Sequence, residues 1–161
     1  MLQSGSLLAF LWWTGYTIVG VWAQKYVPGI DFFASGIVLS LQEQSGHRTL
    51  WLACLWILLL EGMGNLPFGY GVAWYGLLFV FYILGRWLFE RRSILFMCLL
   101  GLGLGCLHII LSYSLTRLAN MAVPMHSVMI EGALQVLIFP VIWLLADWLY
   151  PKRLRQDVKP L

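Results

Sequence analysis

Apolar residues run along the chain in six blocks, each closed by a short polar or helix-breaking stretch. The first, Leu7 to Ala23, ends at Gln24 and Lys25, and Pro28 with Gly29 stops any continuing helix. The second, Ile30 to Leu41, is thin for a bilayer span even when extended to Gln44. Gln42 to Arg48, with Ser45 and Gly46 at its centre, separates it from a third block, Thr49 to Leu60, so these two form a hairpin. Glu61 to Gly71 holds four glycines and Pro67, a composition that breaks helix and suits a re-entrant or surface loop. Val72 to Leu88 makes the fourth block, closed by Arg86, Glu90, Arg91 and Arg92. Ser93 opens a fifth that continues to about Leu115 and includes His108. After a break from Arg117 to Ser127, with Asn120 and Pro124, the sixth block runs from Val128 to Tyr150 and carries Pro140, which predicts a kink.

This pattern predicts an all-α integral membrane protein with about six transmembrane helices. Of the 161 residues, 61% are hydrophobic and 11% charged, whereas a soluble domain carries roughly 25% charge. Six spans of about 20 residues use roughly 120, which leaves room for loops but for no separate globular domain. Residues 1–161 therefore read as one transmembrane domain with a short basic tail, 151–161. Val21, Trp22 and Ala23 before Gln24 loosely resemble a signal-peptide cleavage site, but Met1 to Ser6 contains no Lys or Arg, so the segment is read as a retained first helix.

The net charge of +3 does not point to nucleic acid, because the cations sit beside apolar runs without interleaved aromatics. They act as topology signals. With the amino terminus inside, the inner side receives Arg48, Arg86, Arg91, Arg92, Lys152, Arg153, Arg155 and Lys159, and the outer side only Lys25 and Arg117. Both termini are then cytoplasmic. Trp12, Trp13, Trp22, Trp51, Trp87 and Trp148 lie toward the ends of their blocks, as interfacial belts require. Cys54, Cys98 and Cys106 lie in apolar segments without C-x-x-C spacing and read as small buried hydrophobes, not as disulfides or zinc ligands.

No nucleophile elbow, H-E-x-x-H, Walker loop or dinucleotide fingerprint occurs, so no catalytic residue, metal site or cofactor is expected. His47, His108 and His126 are scattered over different loops and depths. Gly101 and Gly105 make a small-xxx-small face for close helix approach. Intramembrane ionisable groups are costly and mark candidate sites. Asp31, His108 and Glu131 fall toward the outer side as a candidate polar cluster, although Asp31 and Glu131 also suit first-turn capping, with Ser127 as a cap for the sixth helix. Asp147 is placed to pair with the basic tail. Glu61 differs, because it precedes a glycine-rich break.

In that break, Glu61, Gly62, Met63, Gly64, Asn65, Leu66, Pro67, Phe68 and Gly69, the chain resembles the rod shape-determining MreD family. That family ends its third helix with an acid, follows it with small and polar residues, and reaches a Pro-Leu-Gly or similar element eight residues after the acid. Here Gly69 stands eight residues after Glu61, with Pro67 and Phe68 before it. The acid is Glu61 where the family usually has Asp, and Phe68 stands where Leu is common. A proline before helix two, a thin hairpin, an arginine-bearing end to helix four, and a proline within helix six extend the resemblance over residues 28 to 156.

The resemblance implies a non-enzymatic scaffold of the cell-elongation machinery in a bacterial inner membrane. It would bind the periplasmic coiled-coil protein MreC and support rod shape and lateral peptidoglycan synthesis. Through MreC it would link the filament protein MreB to the elongation glycosyltransferase and transpeptidase. Glu61, Gly64, Asn65, Pro67, Phe68 and Gly69 would shape the face that receives the partner. Besides these proteins only membrane lipids are expected as partners. The alternative is the substrate-binding component of an energy-coupling-factor transporter, whose six-helix fold the MreD family is thought to resemble. Against it, Gly15 and Gly20 are five residues apart and Ala9 is out of register, so helix one lacks a small-residue docking face.

Overall fold

The computed structural model describes residues 2–27, 29–63, 69–118 and 124–155. Gly64, Asn65, Pro67 and Phe68 of the glycine-rich break lie outside the described residues, as do Pro28, Asn120 and Lys159. Every described regular element is helical: α1 (Leu2–Tyr26), α2 (Phe33–Glu43), α3 (Gly46–Met63), α4 (Tyr70–Leu88), α5 (Ile94–Leu118), α6 (Met125–Leu149), and a final 3₁₀ turn, Lys152–Leu154. Each sequence block has become one helix. Among the described residues four helices are long and apolar enough to cross a membrane: Ser6–Tyr26, Tyr70–Leu88, Ile94–Leu118 and Met125–Leu149. α3, which carries His47, Arg48 and Glu61, is not among them, and α2 has only 11 residues.

Neighbouring helices pack antiparallel, since contacts early in one helix meet the end of the previous one. Ser40 of α2 bonds Thr49 of α3, and along α5 and α6 the contacts run in opposite order, Gly105 against Gly132 and Gly101 against Val136. Two ends result, one carrying Asp31 and the other Glu43. The burial pattern follows helical spacing. On α4 the buried residues Tyr70, Trp74, Leu78 and Tyr82 recur every four positions, and on α6 Val128, Gly132, Gln135, Phe139, Trp143 and Ala146 recur in steps of three or four. The opposite faces expose large apolar side chains such as Val72, Leu84, Leu137 and Val141, which suits lipid and not water.

The α5–α6 seam is the closest packing in the bundle. A Cβ on Gly105 would lie 2.7 Å from the Gly132 carbonyl oxygen, and one on Gly101 would lie 3.1 Å from that of Val136. Val136 is four residues before Pro140, whose missing N–H frees this carbonyl from the helical ladder. The small face of α5 therefore lies against the backbone that the proline loosens, and α6 continues unbroken from Met125 to Leu149.

α2 sits at the centre. Phe33 to Ser40 are all buried, and Phe33 stacks on Trp56 with centroids 4.9 Å apart. At 1.5 Å per residue its 11 residues measure roughly 17 Å, about half the thickness of a hydrocarbon core.

Three expectations are corrected. Cys54, Cys98 and Cys106 are exposed on the bundle's outer surface, so they are small outward-facing residues and not core. Trp22, Trp51, Trp87 and Trp148 are exposed near helix ends, but Trp13 is buried and Trp12 packs edge-on against Tyr150; α1 starts at Leu2, which places this pair mid-helix. α6 starts three residues earlier than the sequence pattern suggests, with Pro124 and not Ser127 at its N-cap.

Candidate functional site

A short central helix that begins below one end of the bundle leaves its first N–H groups away from bulk water, so side chains must satisfy them. At the amino end of α2 this task falls to Asp31. Its Oδ1 accepts the Phe33 N–H at 2.8 Å and the Tyr75 hydroxyl at 3.3 Å, and Gln24 Nε2 donates to it at 3.4 Å. Its Oδ2 accepts Trp74 Nε1–H at 2.7 Å. The Asp31 backbone is held too: its N–H donates to Gln135 Oε1 at 3.0 Å, and its carbonyl accepts from Gln135 Nε2 at 3.2 Å. Gln135 is the eleventh residue of α6, so Asp31 lies about 15 Å below the end of that helix. The sequence places Asp31 as a first-turn cap at an interface; it does cap α2, but deep within the bundle.

Beside it stands a second polar chain. His108 Nε2 lies 3.2 Å from Glu131 Oε2, and its Nδ1 lies 3.1 Å from the Tyr70 hydroxyl. With Glu131 ionised, Nε2–H donates to the carboxylate and Nδ1 accepts from the phenol. The Trp74 ring meets His108 edge-on at 6.0 Å, which joins the two chains. Glu131 is the seventh residue of α6 and turns toward His108, so it is not a first-turn cap as its sequence position suggests. Its carboxyl packs over Gly29, where φ is +88° and an added Cβ would collide with it. Only a glycine lets the α1–α2 turn fit here.

Asp31, His108 and Glu131 are thus brought into one cluster by α4, α5, α6 and the α1–α2 turn. The Asp31 carboxylate accepts from four donors and is a structural anchor. Glu131, with its side chain 35% exposed, is the member open to a ligand or proton from outside. Among the described residues no three His, Cys, Asp or Glu side chains converge as metal ligands. Sequence reasoning missed Gln135, Trp74, Tyr70, Tyr75 and Gln24. A glutamine in the middle of an apolar span was one available signal, and an aromatic face at positions 70, 74 and 75 was another.

Glu61 is apart from this cluster. It ends α3, and its Oε1 accepts the N–H of Gly69 at 3.0 Å and of Gly71 at 3.2 Å. Gly69, with φ +89°, is the N-cap of α4 and has no side chain with which to cap it. The acid supplies that function from eight residues upstream, where the helix dipole favours negative charge. Glu61→Gln keeps an acceptor but loses the charge, and should lower stability by about 1 kcal/mol, read as a lower melting temperature in detergent; an unchanged melt would refute the capping role.

The opposite end of α2 is also tied down. Glu43, fully buried, pairs with Arg92. Gln42 donates to the Arg91 carbonyl at 2.6 Å and accepts Trp143 Nε1–H at 3.0 Å. Asp147 pairs with Arg155 at 3.3 Å, a residue of the basic tail as expected.

No family model, curated protein or solved structure matches this chain.

Proposed function

We propose that the chain is a non-enzymatic membrane scaffold of the bacterial cell-elongation machinery, an MreD-like partner of the periplasmic protein MreC. In this reading the chain passes the inner membrane six times, with α2 covering only part of the thickness on its pass, both termini are cytoplasmic, and the Asp31 and Glu61 end faces the periplasm. The observation that carries it is the Glu61 cap. An acid at the end of the third helix holds Gly69 and Gly71 across the break, which gives the acid-to-glycine spacing of the family resemblance a physical purpose: it fixes the rim onto which a partner would dock. The charge sorting of eight cations to one side and two to the other supports the orientation.

A second reading, the substrate-binding component of an energy-coupling-factor transporter, is favoured by one observation, the buried polar cluster beneath the α1–α2 turn. Affinity purification of the tagged protein from its host in mild detergent separates the two. Recovery of a single-span coiled-coil protein with the elongation glycosyltransferase and transpeptidase is the expected result, and paired ATPases with a coupling subunit would overturn it. Glu61→Gln should reduce recovery of the coiled-coil partner.

A further inference from the structure

The Glu43 end carries charge that internal pairing does not absorb. Its ion pairs use Arg92 with Glu43 and Arg155 with Asp147; among the described residues Arg48, Arg86, Arg91, Lys152 and Arg153 form none, and all five are exposed. Three of them have an exposed indole within four residues in the chain. Trp51, 66% exposed, follows Arg48 by one turn of α3; Trp87, 87% exposed, adjoins Arg86 at the end of α4; Trp148, 78% exposed, precedes Lys152 by four residues at the end of α6. The start of α3, the end of α4, and the end of α6 with the turn that follows it therefore each bring a cation and a tryptophan to the same end of the bundle.

The pairing narrows the partner. A cation alone would serve any acidic surface, but an indole with most of its surface open is stable where an apolar layer meets a polar one. Cations at that same level face lipid phosphates. At the other end, among the described residues, Lys25 has such a neighbour in Trp22, and Arg117 lies over the Tyr113 ring at 5.2 Å.

We propose that the Glu43 end is a binding surface for anionic phospholipid headgroups, built from the pairs Arg48–Trp51, Arg86–Trp87 and Lys152–Trp148. The phosphate and its anionic substituent sit against the cation, and the indole lies beside the glycerol level of the same lipid. The surface selects lipids around the rim and holds the bundle at a fixed depth.

The exposed indoles are also the reporters. The full chain, carrying Trp22→Phe to silence the opposite end, is reconstituted in phosphatidylcholine vesicles containing either brominated phosphatidylglycerol or brominated phosphatidylcholine. Tryptophan quenching then gives the relative association of the two lipids. The expected preference for the anionic lipid is about fivefold or more, weakening in high salt. It should fall by about half or more in Arg48→Gln/Arg86→Gln/Lys152→Gln, and stay unchanged in Lys25→Gln. Equal quenching by the two lipids, or a preference that the triple variant retains, would overturn the proposal. Should the triple variant fail to fold, Arg86→Gln alone, at an exposed side chain, gives the same reading with a smaller fall.

Discussion

Gly105→Leu is expected to unseat α6 from α5, lowering stability by about 3 kcal/mol. The reason is backbone proximity: a Cβ at this position meets the Gly132 carbonyl oxygen at 2.7 Å as well as the Val136 side chain. A flexible neighbour can turn away, but a helix backbone cannot, so the whole seam must open. In a bilayer the separated helices remain helical, so the loss falls on packing and not on propensity. Gly103→Ala supplies the control, because nothing lies within 4 Å of that position. Unfolding followed in mixed micelles should show a large loss for the first variant and little change for the second. Equal losses would mean that the α5 glycines act through helix propensity and not through close contact.

Asp31→Ala should be comparably damaging, at about 4 kcal/mol. It removes the only described acceptor for the Trp74 indole N–H and for the Phe33 N–H at the start of a buried helix, and each orphaned buried donor costs about 1–3 kcal/mol. Asp31→Asn should fall between the two proteins, since its carbonyl can still accept from Phe33 while its amide NH₂ opposes the Trp74 donor. Thermal unfolding monitored by tryptophan fluorescence tests this order directly. An Asp31→Ala protein that melts with the unmodified chain would remove Asp31 from its anchoring role and leave Gln135 to hold the turn alone.

Much of this arrangement is legible in the sequence because period and punctuation are local properties. The six blocks became six helices, and the Gly101 and Gly105 spacing announced the seam that forms. The outward position of the three cysteines was not legible, since a cysteine in an apolar run is equally at home in a core and against lipid. Nor was the depth of Asp31. Its sequence neighbours, a proline and a glycine, mark a turn, and a turn ordinarily lies at a surface; only its bonds to Gln135 reveal that this one is sunk within the bundle. Glu43 escaped notice because it stands in a polar stretch, where burial against Arg92 leaves no trace in the pattern. The Glu131–His108–Tyr70 chain joins residues on three helices, and pairings of that kind have no sequence period at all.

The short central helix also constrains how the molecule comes into being. A segment of 11 residues with polar groups at both ends is a poor candidate for holding its place independently. Its anchors arrive late in synthesis: Trp74 lies 43 residues beyond Asp31, Gln135 lies 104 beyond it, and Trp143 lies 101 beyond Gln42. Until α6 has emerged, α2 lacks Gln135 at one end and Trp143 at the other. The carboxyl-terminal hairpin therefore supplies the last of the contacts that fix α2 in the centre, across the longest chain separations in the molecule's polar network.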